Sequence, residues 1–265
     1  MHIIVCMKQV PDPEGPQDAF VINAQEKRVE PRGIPPVLSL FDENALEAAL
    51  RIKDADKDAR ITVLSAGKRV PDAVMLKALA AGADALVKVE GQELENAVLD
   101  SFTAASVLAC AIKKVGDADV ILAGRQSADA NAGLTGVGLA AILGLPCVTA
   151  VRKAEIKNGR LAAERVIPGG HEVVEAPLPC VVVTSNEIGE LRYPAMKERR
   201  KAASKPVTGW TLADVGAQGP FAPKAVLKDL TLPPEKKRQC EIISAATAAE
   251  AGKALAIKLH EAGII

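Results

Sequence analysis

Aromatic side chains make up only 2% of this 265-residue chain. Stacking single-stranded bases needs a platform of such rings, so nucleic-acid binding of that kind falls away. An excess of charge of one sign is also lacking, since 33 Lys and Arg balance 33 Asp and Glu. No bulk field therefore favours nucleic acid or an anionic membrane. The five cysteines contain no Cys-x-x-Cys pair and are odd in number. That pattern speaks against a disulfide framework and against a zinc or iron–sulfur site. Small buried hydrophobes in a reducing cytosol are the expectation for most of them. No run of about 18 apolar residues marks a membrane span. The opening MHIIVCMKQVPDPEG lacks the apolar length and cleavage site of a signal peptide. A soluble cytoplasmic protein is expected.

Catalytic signatures are missing too. There is no Gly-x-Ser-x-Gly elbow, no Walker A loop and no kinase set. GLTGVG (133–138) orders its glycines G-x-x-G-x-G, unlike the dinucleotide fingerprint G-x-G-x-x-G. HEVVE (171–175) looks like a zinc-protease motif, but Glu175 stands where the second His is needed and the segment alternates like a strand. His2, His171 and His260 are scattered and have no Cys or Ser partner nearby in sequence. An enzyme with its own nucleophile or acid–base pair is poorly supported.

What is present is a regular alternation over the first 150 residues. Short β-rich runs occur at 2–8, 61–67, 84–90, 119–124 and 146–151. Helical periodicity fills the gaps. In 43–53, Leu46, Ala49, Leu50 and Lys53 recur at i, i+3, i+4 and i+7. The segment 71–82 opens on Pro71 and stops at Gly82. The segment 96–116 opens on a capping Asn96 and ends Lys-Lys-Val-Gly, which suits a helix C-terminus. Strands alternating with helices predict an α/β fold, a doubly wound and mostly parallel sheet with helices on both faces.

After residue 150 the style changes. Asn158-Gly159 sits between two alternating runs and predicts a β-hairpin with a type I′ turn. EVVEAPLPCVVVTS reads as a buried strand entered through Pro177 and Pro179. Residues 185–210 are polar, basic and poor in periodicity, a loop by this reading. PPEKKRQCE reads as an extended linker and AATAAEAGKALAIKLHEAG as a terminal helix. The expected division is a domain of 1–210 and an extended C-terminal arm of 211–265.

The densest cluster of small residues is LAGRQSADANAGLTGVG (122–138), where an apolar strand gives way to a helix. Either this is an ordinary tight βα turn, with Asp129 as a helix cap, or the backbone approaches a phosphate at the strand ends. The residues alone leave both readings open.

Four stretches occur in a telling order: VCMKQVPDP, SLFDENALEAALRIKD, AGRQSADANAGLTGVG and EIGELRYPAMKERRKAASKPV. Together they resemble the β subunit of an electron transfer flavoprotein (the FixA family), over essentially the whole chain. The resemblance implies a heterodimer whose α subunit holds most of the redox FAD. It implies AMP in a structural role in the β subunit, or a second FAD exchanging electrons with NADH in electron-bifurcating members. Electrons would pass between flavin dehydrogenases and a quinone reductase or similar acceptor. A stand-alone adenine-nucleotide sensor is the reading from another class.

Carried onto this sequence, the family's nucleotide site falls on Cys6 and Lys8, on Ser39, Phe41 and Asp42, and on Ala66. It continues through the loop with Gly124, Arg125, Gln126, Asp129, Ala130, Asn131, Ala132, Gly133, Leu134, Thr135 and Gly136. The family usually shows Asp-Gly-Asp-Thr and then a Gln. Here Asn131 replaces an acid, and Leu134 stands at the Gln position. Pro13 occupies a place where an aromatic near the flavin is common. The implied partner-docking segment comprises Glu190, Leu191, Arg192, Tyr193, Met196, Arg199 and Arg200, with Met196 where a leucine anchor is usual. Arg199 and Arg200 replace an Ile-Met pair. KERRK is then either a solvated basic turn or a positive collar that selects a partner.

Overall fold

The periodic segments of the first half become strands and helices in chain order. A computed structural model describes the chain apart from residues 95–99, 218–223, 233 and 235–239. β1 (His2–Cys6) is followed by β2 (Gln9–Pro11), a small hairpin of β3 (Phe20–Asn23) and β4 (Arg28–Pro31), and β5 (Pro36–Leu38). β2 and β5 pair with each other and close this excursion. Then come α1 (Leu40–Ala55), β6 (Arg60–Gly67), α2 (Asp72–Ala81), β7 (Ala85–Glu90), α3 (Ser101–Val115), β8 (Val120–Gly124) and α4 (Thr135–Leu143). The second half supplies β9 (Cys147–Lys157), β10 (Arg160–Ile167), β11 (Gly170–Pro177), β12 (Cys180–Thr184), α5 (Met196–Ala202), β13 (Val207–Trp210) and α6 (Ala248–Glu261).

Nine strands form one sheet in the order β11-β10-β9-β12-β8-β1-β6-β7-β13. From β9 to β13 every neighbouring pair is parallel, and β10 and β11 extend the sheet antiparallel. Because the chain winds outward from β1 first through β6 and β7 and then through β8 and β12, the order reverses between β1 and β8. Open α/β sheets bind ligands at the carboxyl ends of strands flanking such a switch point. The fold is therefore the doubly wound α/β class expected from the alternation.

Strands that read as continuous apolar runs are divided by the pleat between two cores. Ile3 and Val5 of β1, with Val120 and Leu122 of β8, face α1 and α2 through Leu46, Ala49, Met75 and Leu79. Ile4, Cys6, Ile121 and Ala123 face α3 and α4 through Val107, Ala111 and Leu139. Two thiols of β1 and β12, Cys6 and Cys180, are buried, whereas Cys147 and Cys240 are exposed.

Several expected boundaries shift for local reasons. Pro71 precedes the first helical residue of α2 as its cap position, and Gly82 (φ 137°) ends it. The expected cap Asn96 lies outside the described residues. Asp100 caps α3, its Oδ2 accepting the Thr103 N–H at 3.0 Å and the Thr103 hydroxyl at 2.7 Å. The Asn158-Gly159 turn has φ of 51° and 72°, the left-handed pair that a type I′ turn requires. HEVVE lies on the strand β11 rather than on the helix that a His-Glu-x-x-His zinc site needs. Segment 185–210, read as loop, contains the helix α5 and the edge strand β13, which pairs with β7. Most of PPEKKRQCE lies outside the described residues.

The chain divides into two compact units, Met1–Asp229 and Leu230–Ile265. In the second, α6 starts with a capping box. Thr247 Oγ1 accepts the Glu250 N–H at 3.3 Å, and Glu250 Oε2 accepts the Thr247 N–H at 3.2 Å. No helix among the described residues is long and apolar enough to cross a membrane.

Candidate functional site

At the carboxyl ends of β1, β6 and β8 the sheet opens into a cleft of about 900 Å³ including its mouth. One wall is built by Cys6 at the end of β1 with Met7 and Lys8 after it, Ala66 and Gly67 at the end of β6, and Ala123 and Gly124 at the end of β8. The loop 125–134 and the start of α4 form a second side. Leu94 with Ala104, Val107 and Leu108 of α3 forms an apolar third.

The cleft exists because the chain comes unusually close to itself at Gly124. A Cβ there would lie 2.5 Å from Asp42 Oδ1 and 2.6 Å from the Phe41 carbonyl oxygen, so no larger residue fits. Asp42 is buried in the first turn of α1 and braces both strand ends. Its Oδ2 accepts the Lys8 N–H at 2.8 Å and its Oδ1 accepts the Gly124 N–H at 3.2 Å. Burial pushes the Asp42 carboxyl up to about 7, against the pull of those two amides. Burial likewise pushes the Cys6 thiol up to about 12, which makes it a packing group and not a nucleophile.

Across the mouth, Lys8 Nζ reaches both oxygens of Asp129 at 2.9 and 2.7 Å. Burial acts to raise the Asp129 carboxyl, but the Lys8 ammonium, the Ser127 hydroxyl and a backbone N–H together outweigh it and hold Asp129 below the usual carboxylate range. Asp129 is thus an ion-pair partner and not the cap of α4. Leu134 stands at the cap position, and among the described residues no side-chain cap bonds the first amides of that helix. Those amides carry the positive end of the helix dipole and suit a negatively charged group. Within the loop, Asn131 adopts φ 52°, a left-handed conformation that Asn tolerates, and its Oδ1 accepts from Gln126 Nε2 at 2.9 Å. Ala130, where the family has Gly, needs no positive φ and fits without strain.

Of the expected nucleotide residues, the structure lines the cleft with Cys6, Lys8, Asp42, Ala66, Gly124, Arg125, Gln126, Ala130, Ala132, Gly133, Leu134 and Thr135. Ser39, Phe41, Asp129, Asn131 and Gly136 are not among the residues that line it. Gly136 serves packing, since a Cβ would sit 2.6 Å from Val183 Cγ2. Sequence reasoning missed the α3 wall and Leu94, because those residues carry no chemistry beyond bulk. A phosphate-bearing ligand fits this donor set: unsatisfied helix amides, two cationic side chains and an apolar wall for a flat ring. Leu134, 59% exposed at the mouth, offers surface but no hydrogen bond.

The expected docking residues gather elsewhere. Glu190, Leu191, Arg192, Tyr193 and Arg199 line a groove against Leu40 of α1 and Leu76 of α2. Tyr193 is 81% exposed and Met196 67% exposed. The Arg199 guanidinium stacks 4.5 Å from the Tyr193 ring centre, and Arg200 is exposed on α5.

Residues 29–215, which include most of the cleft and the docking segment, match the electron transfer flavoprotein domain. The chain is 31% identical over the full length of both proteins to the caffeyl-CoA reductase–Etf complex subunit CarD of Acetobacterium woodii. It is 33% identical to the electron transfer flavoprotein subunit beta of Megasphaera elsdenii, over 82% of this chain and 80% of that one. It is 31% identical to the protein FixA of Bradyrhizobium diazoefficiens, over 93% and 87% respectively. A strand-end cleft on a doubly wound sheet thus coincides with similarity along the whole chain, which belongs to the electron transfer flavoprotein β-subunit (FixA) family.

Proposed function

We propose that this chain is the electron-carrying partner of an α subunit and binds AMP in the strand-end cleft as a structural ligand. The heterodimer carries electrons from a flavin dehydrogenase to a quinone reductase or similar acceptor. The redox FAD is held mainly by the α subunit, and this chain's contribution is to exclude water and position the flavin. The observation that carries the reading is the cleft itself. It joins unsatisfied α4 amides to Lys8 and Arg125 at the topological switch point, and most of its lining sits inside the matched family region. The exposed Tyr193 and Met196 support a dehydrogenase-docking role for 190–200. The C-terminal arm, a compact unit of its own over Leu230–Ile265, is assigned to packing on the α subunit.

A second reading places FAD in the cleft in place of AMP, with NADH as electron donor. It is favoured by full-length similarity to a subunit of a reductase–Etf complex and by the apolar Leu134 at the mouth. The test of electron carriage is direct. The heterodimer, mixed anaerobically with a flavin acyl-CoA dehydrogenase and its substrate, should bleach at the flavin band within seconds. No bleaching with any flavin dehydrogenase, and none with NADH, would remove electron carriage from both readings.

A further inference from the structure

Four polar residues of α1, Asn44, Glu47, Arg51 and Asp54, recur at i, i+3, i+7 and i+10, the spacing of one helix face. Such a stripe is ordinarily solvated, yet Asn44 and Glu47 are buried. All four meet one short segment, 189–192. Asn44 Nδ2 donates to the Gly189 carbonyl at 2.7 Å. Glu47 Oε2 accepts the Arg192 backbone N–H at 3.1 Å and Arg192 Nε at 3.0 Å, while Glu47 Oε1 accepts Nη2 at 3.0 Å. Asp54 Oδ2 takes the remaining arm, Nη1, at 2.7 Å. Arg51 Nε donates to Glu47 at 3.1 Å, and Arg51 Nη2 packs where a Cβ on Gly189 (φ 102°) would lie 2.9 Å away.

No helix or strand fixes residues 189–195, so these side-chain bonds, together with Leu191 packed against the core, order them. We propose that the α1 stripe, centred on Glu47, anchors segment 189–194 in its docking conformation and makes Glu47 and Asp54 positioning residues for partner docking. The proposal rests on the docking role given above to 190–200. A loop ordered before encounter loses less entropy on binding, so the anchor acts on association and not on the electron step. The planar guanidinium forks between two carboxylates, a geometry that lysine cannot reproduce.

The test uses the αβ heterodimer carrying Glu47→Gln or Asp54→Asn. Trypsin cleavage after Arg192, the basic residue within 189–194, is followed by mass spectrometry. In parallel, KM and kcat are measured with the heterodimer as the acceptor of a flavin dehydrogenase. For Glu47→Gln we expect cleavage and KM each to rise by about tenfold or more, because the amide nitrogen cannot accept the two N–H groups that one carboxylate oxygen holds. The kcat and FAD content stay unchanged. Asp54→Asn, at an exposed site, should move both readings the same way by about two- to threefold. It decides the matter if Glu47→Gln does not assemble. Wild-type cleavage and wild-type KM would overturn the anchor. Faster cleavage with an unchanged KM would overturn the docking role of the segment, and the positioning role with it.

Discussion

Gly124 shows how one missing side chain builds the cleft. Its backbone passes within contact of Asp42 and Phe41 because hydrogen is all that its α-carbon carries. Gly124→Ala should therefore push β8 away from α1, at a cost of about 2 kcal/mol for overpacking. It should also release bound nucleotide, read as a lower urea midpoint and an emptied cleft after purification. His2 makes a separate prediction. Its Nε2 bonds Thr62 Oγ1 at 2.9 Å and its Nδ1 faces Arg60 Nη2 at 3.1 Å. Burial first, and Arg60 second, lower its pKa from 6.5. The folded ring thus stays neutral where the unfolded one takes up a proton. This contribution to stability is complete above about pH 6.5 and falls as pH drops below it. Wild type should lose more stability than His2→Gln between roughly pH 7.5 and 5.5. Asp42 titrates with the opposite sign but is common to both proteins, so it cancels in the difference. At this scale the sequence is least legible. Asp129 reads locally as a cap, yet its partner Lys8 is 121 residues away. Asn44, Glu47, Arg51 and Asp54 form a visible polar stripe, but nothing near them in sequence reveals Arg192.

Among the elements, the long periodic ones are legible and the short or half-exposed ones are not. α1 and α2 follow the apolar repeat, and the β9–β10 hairpin follows from Asn158-Gly159. β13 escapes because it is four residues long, contains Gly209 and exposes most of its side chains at a sheet edge. α5 escapes because seven residues rich in charge carry almost no apolar period. That helix makes its own prediction through Met196, its first residue. Met196→Asp places a charge where an apolar anchor would enter a partner. It should slow flavin reduction by the dehydrogenase by about tenfold or more, with FAD content unchanged. Loss of FAD or of the α subunit instead would identify Met196 as a structural residue. α4 is read correctly as a helix, but not how tightly it sits. Gly136 leaves 2.6 Å between a Cβ position and Val183 Cγ2, so Gly136→Ala should displace the helix whose amides face the cleft.

For the molecule as a whole, strand order matters more than any motif. Winding from β1 first to β7 and then to β12 places three strand ends around one opening, and the small-residue loop after β8 completes it. The loop reads as ambiguous from sequence because the fingerprint glycine order is absent. In the fold, Gly124 and Gly136 have separate close-packing tasks, and Gly133 (φ 67°) turns the chain into α4. The central claim is that this opening holds a nucleotide within an electron-carrying heterodimer. Co-expressing the chain with its α subunit, denaturing the purified complex and quantifying released FAD and AMP tests it most directly. One FAD and one AMP per heterodimer is the result predicted here. Two FAD and no AMP would replace the structural ligand by a second flavin. A heterodimer that releases only the α-subunit FAD and no second nucleotide would contradict the account.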